Sequence, residues 1–188
     1  MTAVIDYGAG NLTSVRLALD AVGERAVVTR DPDAVRSADR VVFPGVGAAG
    51  SAMESLRSLG LVDVVREAAA SKPFLGICLG MQILFDWSEE DGGVELLGIV
   101  PGKVRRFPDV PGFKVPEIGW NDVSPGGEDY YFVHSYYAEK CPYTACTSEY
   151  AGVEFTSVVR KGGLVACQFH PEKSGRAGLA FLREFLSC

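Results

Sequence analysis

The sequence predicts an α/β fold: a mostly parallel central sheet flanked by helices, with an antiparallel extension. Three observations predict it. In the first half, short apolar runs alternate with segments of helical period, the pattern of parallel strands joined by crossover helices. From Leu97 to Gln168 the runs become short, aromatic or β-branched and are broken by Gly and Pro, as in hairpins. The closing RAGLAFLREFL (176–186) returns to helical period, with Leu179, Leu182, Phe185 and Leu186 on a face expected to meet the core.

The elements follow in order. AVID (3–6) is a first strand running into the turn Tyr7-Gly8-Ala9-Gly10. Asn11 or Thr13 can cap a helix whose apolar face is Leu12, Val15, Leu19 and Val22, closed by Gly23. AVVTR (26–30) is a second strand; a charged segment separates it from VVFPGVG (41–47), a third. Helical patterns occupy 51–59 and 62–70, PFLGI (73–77) is a strand, and a helix is expected from about Leu79. The second half offers PGKVRRF, GFKVPEIGW, YYFVHSYY and EFTSVVRKGGLVACQF as strands and hairpins. With no repeat, low-complexity tract or linker, residues 1–188 read as a single domain.

Composition narrows the function classes. A hydrophobic content of 47% with 22% charged residues is that of a globular protein with a substantial core. The net charge of −6 argues against nucleic-acid and membrane-surface binding, which favour basic faces. The longest apolar run falls short of the ~20 residues of a membrane span, and MTAVIDYGAG reads as a strand and turn rather than a leader. Five cysteines (Cys78, Cys141, Cys146, Cys167 and Cys188), odd in number and irregularly spaced, fit free thiols in a reducing cytoplasm. Cys141 and Cys146 have no matching second pair, so no metal site is expected.

Four stretches can carry chemistry. In FLGICLGMQILF (74–85), strand, Gly-x-Cys-x-Gly and helix follow one another as in a nucleophile elbow. Gly76 and Gly80 would clear space for the sharp turn, and Cys78 would stand at a helix N-terminus that favours thiolate. The N–H of Leu79 would face a developing oxyanion. A small buried filler satisfies the same local pattern.

A base is available in QFHPEKSG (168–175), where Glu172 follows His170 across a turn and can fix the imidazole tautomer. On its own His-Pro-Glu also fits a surface turn; beside the elbow it suggests a Cys–His–Glu relay. His134, in YFVHSYY (131–137), has no carboxylate at comparable range and is the weaker candidate. PGVGAAGS (44–51) can present backbone N–H groups to phosphate or an oxyanion, or be a tight turn. It lacks the Gly-Lys-Ser/Thr ending of a nucleotide loop. GAGN (8–11) with Asp31 partly echoes a dinucleotide fingerprint, but Thr13 stands where a third glycine belongs, and no cofactor is expected.

Taken together, GICLGMQ (76–82), PGVG (44–47) and QFHPEKSG (168–175) resemble class I glutamine amidotransferases. DYGAGN (6–11), VPEIGWN (115–121) and YFVHSYY narrow the likeness to the glutaminases of histidine biosynthesis, over nearly the whole chain. The resemblance implies a class I glutamine amidotransferase-like fold and glutamine as substrate. It also implies a (β/α)8-barrel cyclase as partner, which uses the ammonia to make imidazole glycerol phosphate and aminoimidazole carboxamide ribonucleotide.

Residue by residue, it implies that Cys78 attacks the glutamine side-chain amide, His170 shuttles protons and Glu172 orients it. Leu79 and Gly47 with Val46 would supply oxyanion N–H groups. Gln82 and Glu90 would hold the main-chain groups of glutamine, with Ser135 and Tyr136 at the rim. Asn11, Trp120, Tyr131 and Lys173 would lie near the docking face, and the isolated glutaminase would be nearly idle until its ligand-loaded partner binds. Where relatives usually carry histidine in the VPHxGWN segment, this chain has Glu117, which is expected at a solvated interface edge. There it either is tolerated or alters pairing with the cyclase. Other readings of the same residues are a glutaminase serving another synthase, such as that of pyridoxal phosphate, and a non-enzymatic redox sensor built on Cys78.

Overall fold

The computed structural model describes residues 1–187; Cys188, expected as a free thiol, lies outside the described residues. The first half runs β1 (Thr2–Ile5), α1 (Leu12–Ala21), β2 (Ala26–Thr29), α2 (Pro32–Ser37), β3 (Arg40–Gly45), α3 (Ala49–Ser58), α4 (Val62–Ser71), β4 (Phe74–Cys78) and α5 (Leu79–Gln82). After it come β5 (Trp87–Ser88), β6 (Val94–Glu95), β7 (Lys103–Arg106), β8 (Glu117–Val123), β9 (Glu128–His134) and β10 (Tyr136–Ala138). The chain closes with β11 (Thr144–Tyr150), β12 (Val153–Lys161), β13 (Leu164–Cys167) and α6 (Gly175–Leu186).

The main sheet has the order β2-β1-β3-β4-β13-β12-β10-β7-β5-β6, with β11 paired to β12. From β2 to β13 every pairing is parallel; at β12 the sheet turns antiparallel. Alternate side chains of the parallel strands enter two cores, which is why β1, β4 and β13 read as unbroken apolar runs. Ala3, Ile5, Val41, Phe43 and Phe74 pack with Met53 and Leu56 of α3 and Val64 and Val65 of α4. Val4, Val42, Leu75 and Ile77 pack with Val15 and Leu19 of α1 and Phe181, Leu182 and Phe185 of α6. The α/β class and its antiparallel extension are thus as the sequence predicts, and the closing helix does face the core.

Two local readings are corrected. The charged segment after β2 is a helix, α2, capped by Asp31 accepting from the Asp33 N–H at 3.0 Å, with Pro32 in its first turn. Asp31 therefore has a structural use, as the cap of α2. The helix expected from Leu79 ends after four residues. Its would-be continuation loses carbonyls to the following loop: Ile83, Leu84 and Phe85 accept from Leu97, Ile99 and Gly98 at 2.8–2.9 Å.

Two registers place the site. Gly45 at the end of β3 lies opposite Cys78 at the end of β4, and Cys167 at the end of β13 lies opposite Ile77. The turns leaving β3, β4 and β13 therefore converge at the carboxyl ends of parallel strands, where open α/β sheets bind ligands. A separate two-stranded hairpin, β8–β9, covers one side of this edge and pairs Glu117 with His134 and Trp120 with Tyr131.

Candidate active site

Cys78 adopts φ +55°, ψ −111°, a conformation that costs a non-glycine residue ~1–3 kcal/mol. Close packing imposes it. A Cβ at Gly80 would lie 1.9 Å from the Phe43 carbonyl oxygen, and one at Gly76 would lie 2.7 Å from the Gly80 oxygen. Only glycine lets α5 start directly against β3 and hold the thiol up. Four residues sum few peptide dipoles, so the helix N-terminus is a weaker anion site than the sequence suggested, and neighbouring side chains matter more.

His170 is the first such neighbour. Its Nδ1 lies 2.7 Å from Glu172 Oε1, both side chains are almost wholly buried, and Nε2 is left to Cys78. Tight backbone geometry holds the ring: the His170 N–H donates to the Tyr131 carbonyl at 2.9 Å, and the Ser174 hydroxyl donates to the His170 carbonyl at 2.7 Å. Burial works against the imidazolium, but hydrogen bonds and charge from Cys78 and Glu172 prevail and raise its pKa from 6.5 to about 10. A folded-state value above the unfolded one adds stability that is complete below the unfolded pKa and is lost as pH rises through the window from 6.5 to about 10. Urea unfolding across that window is expected to show falling stability in the native protein and a shallower fall in His170→Asn. Parallel slopes would exclude this origin.

Cys78 and His170 line a pocket of about 350 Å³ with Val46, Gly47, Leu79, Gln82, Glu90, Pro116, Val133, His134, Ser135 and Tyr136. Glu90 is anchored by the Ala49 N–H, which donates to Oε2 at 2.7 Å. Burial raises its pKa, partly offset by that bond. A carboxylate on such a wall suits an ammonium group. Gln82 Nε2 donates to the Tyr136 carbonyl at 2.7 Å and to Gln168 Oε1 at 2.9 Å. Among the described residues no group of three or more His, Cys, Asp or Glu side chains could hold a metal ion.

The residues implied for the docking face divide. The Lys173 ammonium lies 5.8 Å from the Tyr131 ring centre, and Tyr131 meets Trp120 edge-on at 6.1 Å. Trp120 is 58% and its neighbour Ile118 63% exposed, forming an apolar ridge. Asn11 caps α1, accepting from the Ser14 N–H at 3.4 Å.

Glu117 does not belong with them. It is 3% exposed, so the solvated edge expected for it is wrong. Its Oε2 lies 2.9 Å from His134 Nε2, and Oε1 accepts from Asn121 Nδ2 at 2.9 Å. Alternation along β8 turns Glu117 inward while Ile118 faces out. His134, judged to lack a carboxylate, has one directly across the hairpin. Pairing back from the Ser124–Gly127 turn would have revealed it.

The family profile described as glutamine amidotransferase class-I matches residues 3–187. The chain belongs to that family. It is 49% identical to the imidazole glycerol phosphate synthase subunit HisH of Aromatoleum aromaticum, over 98% of this chain and 97% of that one. Its identity to the same subunit of Acinetobacter baylyi is 45%, over 98% and 96% of the two chains. Within the family the chain thus groups with the HisH subunits of imidazole glycerol phosphate synthase. The crystal structure of a glutamine amidotransferase shares the fold at TM-score 0.77 and 20% identity, covering 98% of this chain and 97% of that one.

Proposed function

We propose that residues 1–188 act as one glutamine amidotransferase domain. It hydrolyses glutamine to glutamate and ammonia and passes the ammonia to a (β/α)8-barrel cyclase in histidine biosynthesis. The observation that carries this reading is the buried His170–Glu172 pair beside Cys78, in a pocket whose wall also bears Glu90.

In this mechanism the Cys78 thiolate attacks the side-chain amide carbon of glutamine. The tetrahedral oxyanion is met by the N–H groups of Leu79 and Gly47, with Val46 beside them. The His170 imidazolium, oriented by Glu172, protonates the departing nitrogen, and the C–N bond breaks to leave a glutamyl thioester and ammonia. Water, deprotonated by His170, attacks the thioester; glutamate leaves and the thiolate–imidazolium pair is restored. Glu90 and Gln82, the latter through its free side-chain oxygen, hold the main-chain groups of glutamine, and Ser135 and Tyr136 close the rim. Trp120, Tyr131, Lys173 and Asn11 are assigned to the cyclase docking face. Four free thiols, Cys78, Cys141, Cys146 and Cys167, support a reducing, cytoplasmic setting.

An assay of ammonia release with and without the cyclase subunit and its nucleotide ligand tests the reading. Slow release alone and a rise of about 10²-fold or more with the loaded partner is expected, a coupling of ~3 kcal/mol. Absence of release under every condition would overturn it.

A further inference from the structure

The buried amides beside the nucleophile have only one consistent polarity. The Tyr136 carbonyl can only accept, and it faces His134 Nδ1 at 2.7 Å and Gln82 at 2.7 Å. His134 must therefore carry a proton on Nδ1, and Gln82 must turn its NH2 towards Tyr136. The same Gln82 nitrogen lies 2.9 Å from the Gln168 side chain, which must answer with its oxygen. The Gln168 NH2 is then at the far end, 3.6 Å from Cys78 Sγ. Gln168 is 0% and Gln82 5% exposed, so water cannot serve either alternative orientation. The Gln168 backbone is pinned as well, its N–H donating to the Ser157 carbonyl at 2.9 Å. Flipping the amide would set two NH2 groups face to face and leave an oxygen against sulfur.

We propose that Gln168 is a catalytic residue: its side-chain N–H donates to Cys78 Sγ and stabilises the thiolate, both before attack and as the sulfur leaves the thioester. A thiol or thioester sulfur is a weak acceptor and a thiolate a stronger one, so a fixed donor favours the charged form. No proton leaves Gln168; it lowers the energy of the anion that His170 forms and consumes. Besides His170, the Cys78 sulfur faces the Val133 carbonyl, at 4.0 Å, which can take a thiol proton but repels an anion. The titratable groups facing Cys78 are His170 with Glu172 behind it, Cys167 of β13, Tyr7 from the β1–α1 turn, and His134 and Glu90 across the pocket. None of these needs to change for Gln168 to act.

The proposal rests on Cys78 being the nucleophile, and its test reads the thiolate without turnover. The rate of iodoacetamide alkylation at Cys78 is measured against pH in the native protein, Gln168→Leu and Gln168→Glu. In Gln168→Leu the half-maximal rate is expected about one pH unit higher, with alkylation near neutrality about tenfold slower, as for one lost hydrogen bond to a charged group. Gln168→Glu, which sets a carboxylate against sulfur, is expected to shift at least as far. Profiles that superpose on the native one, or shift downward, overturn the proposal. Should both variants fail to fold, the native protein decides. One glutamine side-chain amide resonance, assigned to Gln168, is expected to move with the Cys78 titration and to stay still in Cys78→Ser. An unresponsive Gln168 resonance refutes the role. A shifted alkylation profile in a protein that never releases ammonia would instead refute the glutaminase reading while leaving this bond in place.

Discussion

Replacing Cys78 by alanine or serine is expected to lower glutamine-dependent ammonia release by about 10⁴-fold or more, with the fold unchanged. The activity loss follows from the chemistry: alanine offers no nucleophile, and a serine hydroxyl stays protonated where a thiol ionises. The fold should persist because the elbow is imposed by Gly76, Gly80 and Gly45 rather than by the side chain at 78. Alanine and serine face the same backbone cost at φ +55° that cysteine already bears. A coupled ammonia assay with the cyclase present measures the first effect and circular dichroism the second. Full release in either variant would sink the nucleophile assignment.

The second large effect is on stability. Glu117→Ala is expected to cost about 3–5 kcal/mol, the usual consequence of removing one partner of a buried charged pair. His134 would be left with Nε2 unanswered among Phe107, Phe132 and Phe155, whose rings lie 5.2–5.6 Å from its own, and Asn121 would lose its carboxylate acceptor. Glu117→Gln keeps the shape and an acceptor for Asn121, so a loss nearer ~1–2 kcal/mol is expected. Urea unfolding distinguishes these cases. A Glu117→Ala protein within ~0.5 kcal/mol of the native one would mean that the carboxylate is solvated after all. The pair also bears on the pocket, because His134 holds the Tyr136 carbonyl that fixes Gln82.

Much of the candidate site is legible because its parts are close in sequence. The elbow is five residues from Gly76 to Gly80, and every constraint on it is a missing Cβ. His170 and Glu172 span one turn, so their pairing needs only a local bend. The alternation of β and α in the first half reveals the sheet for the same reason: each strand and its crossover helix are contiguous. What escaped the sequence reading depends on groups brought together from afar. Glu117 and His134 are separated by a whole hairpin, and alternation reveals their meeting only once the register is known. The early end of α5 depends on carbonyl bonds to residues 97–100, which nothing near Gln82 announces.

The sequence by itself determined where a nucleophile can stand, since glycine placement and an adjacent His-Pro-Glu are matters of sterics and short-range bonding. Only the tertiary structure decided which way the protons point. The Tyr136 carbonyl orders Gln82, Gln82 orders Gln168, and Gln168 presents N–H to Cys78. That chain joins residues 78, 82, 136 and 168 from β4, α5, β10 and the turn after β13, and its direction follows from burial, which denies each amide the water that would let it turn.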